Sequence, residues 1–248
     1  MDWSKAKNIL IIAFIITNIF LIYNIEKNLF DSGALSTLDE EHIQSVEKIL
    51  KERGIYLQTE IPKKILKMPV LNVAYENWDK QKIKEMIQKS PKGQIKNLDA
   101  QKAYEEAEKF IRENGWLKKD TIYWDTRKEE QGYKVIFKQK YKNGFLEYSY
   151  MECVVTPSGI TFFDKLWLKP LSTGESKKEI IPATNALLKL MGRVEGMKKP
   201  VIIRDIALGY WFDPGYMGFE NAESGTAVPA WRFVLENGET IFIDAYKE

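Results

Sequence analysis

The stretch that most constrains this chain is its beginning, where residues 9–25 are almost wholly aliphatic or aromatic and carry no charge. Only Thr17, Asn18 and Asn24 interrupt the run. At a rise of ~1.5 Å per residue, such a run with snorkelling flanks just crosses a hydrocarbon core about 30 Å thick. The sequence therefore predicts one membrane-spanning helix. Lys5 and Lys7 precede it and Glu26 and Lys27 follow it, so basic flanks predict a cytoplasmic N-terminus and an extracytoplasmic C-terminal part. Trp3 and Tyr23 bracket the run as interfacial anchors would. A cleaved secretory signal fits less well, because the small residues Ser32, Gly33 and Ala34 lie beyond Glu26, Lys27 and Asp31.

Within that run, the amide of Asn18, with Thr17 beside it, has no water to bond to. It gains from a hydrogen bond to a neighbouring helix, so Thr17, Asn18 and Leu21 form a candidate partner-contact face.

The chain as a whole has the composition of a globular protein, with 44% hydrophobic, 12% aromatic and 29% charged residues. Its formal net charge of +2 carries no nucleic-acid footprint. With Cys153 the only cysteine, no intrachain disulfide can form, and Cys153 within Glu152-Cys153-Val154-Val155 reads as a buried strand residue. The only histidine, His42, opens an amphipathic helix and reads as a surface residue. No P-loop, G-x-S-x-G, H-E-x-x-H or Cys/His ligand cluster occurs, so neither an enzyme nor a cofactor or metal site is expected. The aspartates Asp125, Asp164, Asp205, Asp213 and Asp244 read as strand-end or turn residues.

Periodicity divides the chain. After the cytoplasmic tip and predicted span (1–25) comes a connector (26–38), then a first α/β subdomain (39–90). Ile43, Val46, Ile49 and Leu50 recur there at helical spacing before Gly54, two β-prone runs follow, and residues 80–89 form a short helix. Residues 98–170 read as a helix capped by Asp99 and ended by Gly115, followed by an antiparallel sheet. Within it Tyr133, Val135, Phe137, Gln139 and Tyr141 alternate with lysines, and Asn143-Gly144 marks a hairpin. That lysine row reads as a solvated sheet face. Residues 176–248 repeat the order, with a helix starting at Pro182, strands to either side of a glycine-rich loop, and a second Asn-Gly turn at Asn237-Gly238. The predicted class is α+β: an N-terminal membrane helix, then helix-plus-antiparallel-meander units. In the loop between Phe212 and Val228, Tyr216, Met217 and Phe219 either dock a partner protein or fold back as a small local core.

Met1-Asp2-Trp3-Ser4-Lys5, followed by an apolar span containing Asn18-Ile19-Phe20-Leu21, is similar to the opening of the YycI (WalI) family. Pro229-Ala230-Trp231-Arg232-Phe233, Asn237-Gly238 and Asp244-Ala245-Tyr246 also resemble that family, while residues 26–98 do so little. The resemblance implies a non-enzymatic, membrane-anchored regulator of a two-component system linked to cell-wall metabolism. Its implied partners are a YycG/WalK-like sensor histidine kinase and a YycH-like protein. A tethered extracytoplasmic ligand-binding or protease-inhibiting module is the alternative from another class. A pocket with converging polar groups would favour ligand binding, and a flat apolar patch a protein partner.

Overall fold

A computed structural model describes residues 34–89, 95–142, 144–212 and 224–246, together with Phe14, Thr17 and Asn18. Its strands in chain order are β1 (Ala34–Thr37), β2 (Ile55–Leu57), β3 (Lys64–Met68), β4 (Leu71–Tyr75), β5 (Thr121–Glu129), β6 (Gly132–Tyr141) and β7 (Gly144–Thr156). They continue with β8 (Gly159–Leu166), β9 (Leu168–Thr173), β10 (Lys178–Glu179), β11 (Val201–Trp211), β12 (Ser224–Leu235) and β13 (Thr240–Asp244). The helices are α1 (Glu40–Glu52), α2 (Lys80–Lys89), α3 (Ala100–Glu113) and α4 (Ala183–Arg193). The described part is thus α+β and mostly sheet.

The membrane-spanning helix expected from the sequence is corrected here: no helix among the described residues is long and apolar enough to cross a membrane. α1 and α3 reach 13 and 14 residues, and each buries one stripe while presenting charges on the other side. A crossing helix needs about 20 predominantly apolar residues. Of residues 9–25, all but Phe14, Thr17 and Asn18 lie outside the described residues.

Ten strands form one sheet in which β5, β6, β7, β11, β12, β4 and β9 lie side by side, with β8 beside β7, β13 beside β12 and β2 beside β11. A separate antiparallel trio joins β1, β3 and β10. The large sheet has two runs, each introduced by a helix: α3 then β5 to β8, and α4 then β11 to β13. They meet where β7 and β11 run parallel, with Leu146 opposite Tyr210.

Strand alternation sets which side of the sheet each residue serves. α3 lays Ala103, Ala107, Phe110 and Ile111 on Val135, Phe137, Met151 and Cys153. α1 and α4 bring Leu50, Leu187 and Leu190 against Ile206, Trp231 and Phe233. Leu146 pairs with Gln139, two residues on from Phe137, so it points to the helix side, as does Tyr210 beside it. A third apolar cluster of Leu71, Val73, Leu146, Tyr210 and Phe212 fills this side across the junction. Helices therefore pack on one face in both halves. The opposite face, carrying Lys138, Phe145, Gly209, Trp211, Arg232 and Phe242, has no helix over it among the described residues.

Candidate functional site

Three breaks in strand register converge on that helix-free face at the junction. In β5, Tyr123 pairs with Phe137 and Asp125 with Ile136, which leaves Trp124 as an extra residue. In β11, Ile203 and Asp205 face Leu235 and Val234, which leaves Arg204 extra. In β7, residues 147–149 stand outside the ladder, because Lys138 pairs with Tyr150 and the next residue, Gln139, with Leu146. Bulges re-aim side chains: Trp124, Glu147 and, next to the β11 break, Asp205 all reach Arg232, whereas Arg204 itself pairs with the exposed Glu236.

The result is a buried charge cluster. Arg232 Nη1 donates to Glu147 Oε1 at 2.7 Å and Nη2 donates to Asp205 Oδ2 at 2.6 Å. Lys138 Nζ donates to the other oxygen of Glu147 at 3.2 Å. The Arg232 side chain is 2% exposed and that of Glu147 0%, whereas Asp205 is 44% exposed, so the cluster opens to solvent at Asp205 alone of these three. Trp124 lies against both cations, its ring centre 4.5 Å from Arg232 Cζ and 4.7 Å from Lys138 Nζ. Phe145 meets Trp124 edge-on at 5.4 Å and Arg232 at 5.3 Å. Burial pushes the Lys138 ammonium below its ordinary value, the Glu147 carboxylate pulls it back up, and the Arg232 charge again lowers it.

Two glycines allow the halves to come this close. A Cβ on Gly209 would stand 2.8 Å from Phe145 O and 2.9 Å from Glu147 Oε1, and one on Gly144 would stand 2.7 Å from Leu208 O. On the helix side of the junction Gln139 continues the polar contacts. Its Nε2 donates to Asp120 Oδ2 and to Leu168 O, both at 2.8 Å, while Leu168 N donates to Ser149 Oγ at 3.2 Å.

Chemically this is a charge-paired joint between β6, β7, β11 and β12. Both Glu147 oxygens hold cations, and no group of His, Cys, Asp and Glu able to hold a metal ion occurs among the described residues. Cys153 is buried in the core beneath α3, where burial pushes its thiol well above the ordinary range. Surface clefts of about 520 and 470 Å³ flank Lys199. None of the buried, unpartnered polar atoms belongs to the residues lining either cleft.

Of the residues singled out in the sequence, Thr17 and Asn18 are helical, and the Asn18 amide donates to Phe14 O at 2.8 Å within its own turn. Leu21, Tyr216, Met217 and Phe219 lie outside the described residues. The lysine row is not uniformly solvated: Lys140 and Lys142 are exposed, Lys134 pairs with Glu129 and Glu152, and Lys138 is drawn into the cluster. Asp205, which reads in the sequence as a strand-end or turn residue, is a member of the cluster. Sequence reasoning missed Glu147 and Arg232 as a pair, although each carries a signal: a lone charge inside an apolar strand run, Ala230-Trp231-Arg232-Phe233 and Phe145-Leu146-Glu147-Tyr148.

A family model described as YycI protein matches residues 35–246. No curated protein matches the chain. Among solved structures, the chain is similar to an uncharacterized protein from Eubacterium rectale, with 12% identity over 78% of this chain and 89% of that one and a TM-score of 0.46. It is also similar to the C-terminal domain of Bacillus megaterium YpeB, with 12% identity over 85% and 94% and a TM-score of 0.39.

Proposed function

The chain belongs to the YycI family, which associates it with regulation of the YycFG two-component system, and from that premise we propose that it regulates by contact and not by chemistry. The observation that carries this reading is the extent of the match: residues 35–246 take in every described strand and helix of the α+β domain but for the first residue of β1, which supports the domain itself as the bearer of the family's role. The domain works on the extracytoplasmic side, and its partners are a YycG/WalK-like sensor histidine kinase and a YycH-like protein. The contact surface is the helix-free sheet face. There Trp124 and Phe145 cover the charge cluster, and Trp211 stacks on Phe242 at 5.9 Å. Aromatic side chains around a buried arginine are the groups that dominate protein interfaces.

A partner bound there shifts a two-state kinase only by preferring one state. Each tenfold preference amounts to about 1.4 kcal/mol. The test is photocrosslinking in cells from a reactive residue at Phe242 on the open face and, separately, at His42 on α1. Capture of a sensor kinase or a YycH-like protein from position 242 but not from 42 is the expected result. Capture from 42 alone would move the contact to the helix side, and binding of a wall fragment or small molecule with no protein captured would replace regulation by contact with ligand binding.

A further inference from the structure

We propose that Lys165 is a proton-controlled latch that sets how firmly α2 is docked on the sheet. Lys165 lies on the helix side of β8, opposite the fully buried Met151, where a lysine is out of place. Its ammonium sits 3.3 Å over the ring of Trp78 and 5.7 and 5.4 Å from those of Trp116 and Trp167. It lies 3.7 Å from Glu76 Oε2, and Nζ has no hydrogen-bond partner among the described residues.

Two members of this cage, Glu76 and Trp78, belong to the short link between β4 and α2, so the lysine holds the entry to that helix. Glu76 N donates to Trp167 O at 2.9 Å, and Trp78 meets Trp116 edge-on at 5.7 Å. From there α2 lays Ile83 into the core beneath α3. When the link moves away together with α2, Trp78 and Glu76 leave the cage and the lysine is uncovered.

The charged groups that reach Lys165 are Glu76 from that link and Lys118 and Asp120 from the α3–β5 connection; Lys118 is itself paired with Glu76. Burial dominates and pushes the ammonium down to about 7, with Glu76 and Asp120 opposing and Lys118 assisting. With α2 away, Lys165 regains its ordinary value of 10.5. Between those two values the undocked state holds one proton more than the docked state, so docking strengthens as pH rises above about 7. Below that both states are protonated and docking is independent of pH.

Hydrogen–deuterium exchange of the Lys80–Lys89 amides in the full chain, expressed as protection factors from pH 6 to 8.5, tests this. Protection that is flat below pH 7 and climbs toward about tenfold per pH unit above it is the expected profile for one linked proton. Lys165→Met removes the climb. Glu76→Gln removes the charge that favours the ammonium, so the climb begins at lower pH, and this variant decides the matter should Lys165→Met fail to fold. A flat profile in the unmodified chain, an unchanged climb in Lys165→Met, or an unmoved onset in Glu76→Gln overturns the latch.

Discussion

At the scale of single residues, the informative side chains are the charges that lie where apolar groups belong. Arg232 alternates with Trp231 and Phe233, which face the helices, so strand geometry sends it to the opposite face, and Trp124 and Phe145 then shut out water. Removing one member of a buried ion pair leaves the other uncompensated, which costs about 3–5 kcal/mol. Arg232→Met leaves Glu147 buried with Lys138 as its remaining cation, so the unfolding free energy read from a urea titration should fall by about 3–5 kcal/mol. Replacing Arg232 and Glu147 together with methionines should cost less than Arg232→Met alone, because no buried anion is stranded, Asp205 being open to solvent. A double variant as unstable as the sum of the two single ones would mean that the charges do not act on each other. These residues were partly legible: a lone Arg or Glu in an apolar strand run announces a buried charge, and Arg232 stood in one of the motifs that carried the family resemblance. Which anion meets which cation was not legible, since the partners lie 85 and 27 residues away from Arg232 along the chain.

At the scale of elements, periodicity carried the helices and the Asn-Gly pairs carried the places of two hairpins, because each depends on residues close in sequence, although Gly144 pairs with Tyr141 and so opens β7 instead of standing at the centre of the first turn. α3 shows this best: Asp99 precedes the apolar stripe, and its side chain accepts from Lys102 N at 2.8 Å. Asp99→Ala should lower stability by about 1 kcal/mol, read from urea unfolding, and Asp99→Asn should restore most of it. No loss in the alanine variant would show that α3 is held by its packing on Phe137 and Met151 alone. The strands that sequence reading passed over are those without alternation. β5 mixes Thr121-Ile122-Tyr123-Trp124 with a charged tail and carries a bulge, which breaks the period of two. β1 and β3 are short and pair with each other, so their strand character comes from a neighbour and not from their own composition. Pro182 falls one place earlier than expected, at the cap of α4 and not within its first turn, a displacement of the size common at helix ends.

At the scale of the whole molecule, the question is whether the two halves behave as one body. Each has its own helices and its own apolar core, and the β7–β11 ladder that joins them has one registered pair, Leu146 with Tyr210. What couples them lies on the two faces of that pair: the apolar cluster of Leu146, Tyr210 and Phe212 on the helix side, and the Arg232–Glu147 contact on the other. Cooperativity between halves therefore rests on how close β7 and β11 can approach, and Gly209 sets that distance. Gly209→Ala places a methyl against Phe145 O and Glu147 Oε1, neither of which can yield without moving the backbone of β7 or breaking the ion pair. Overpacking of this kind costs about 1–3 kcal/mol, and here the strain falls on the joint and leaves both cores intact. The unmodified chain should unfold in one transition, with hydrogen exchange in α3 and α4 reporting the same midpoint. In Gly209→Ala the two helices should report separate midpoints, the halves now opening independently. Coincident midpoints in the variant, lowered together, would mean that the coupling runs through the apolar cluster and not through the charged face. Split midpoints would identify the Arg232 joint as the element through which contact at one half is felt in the other.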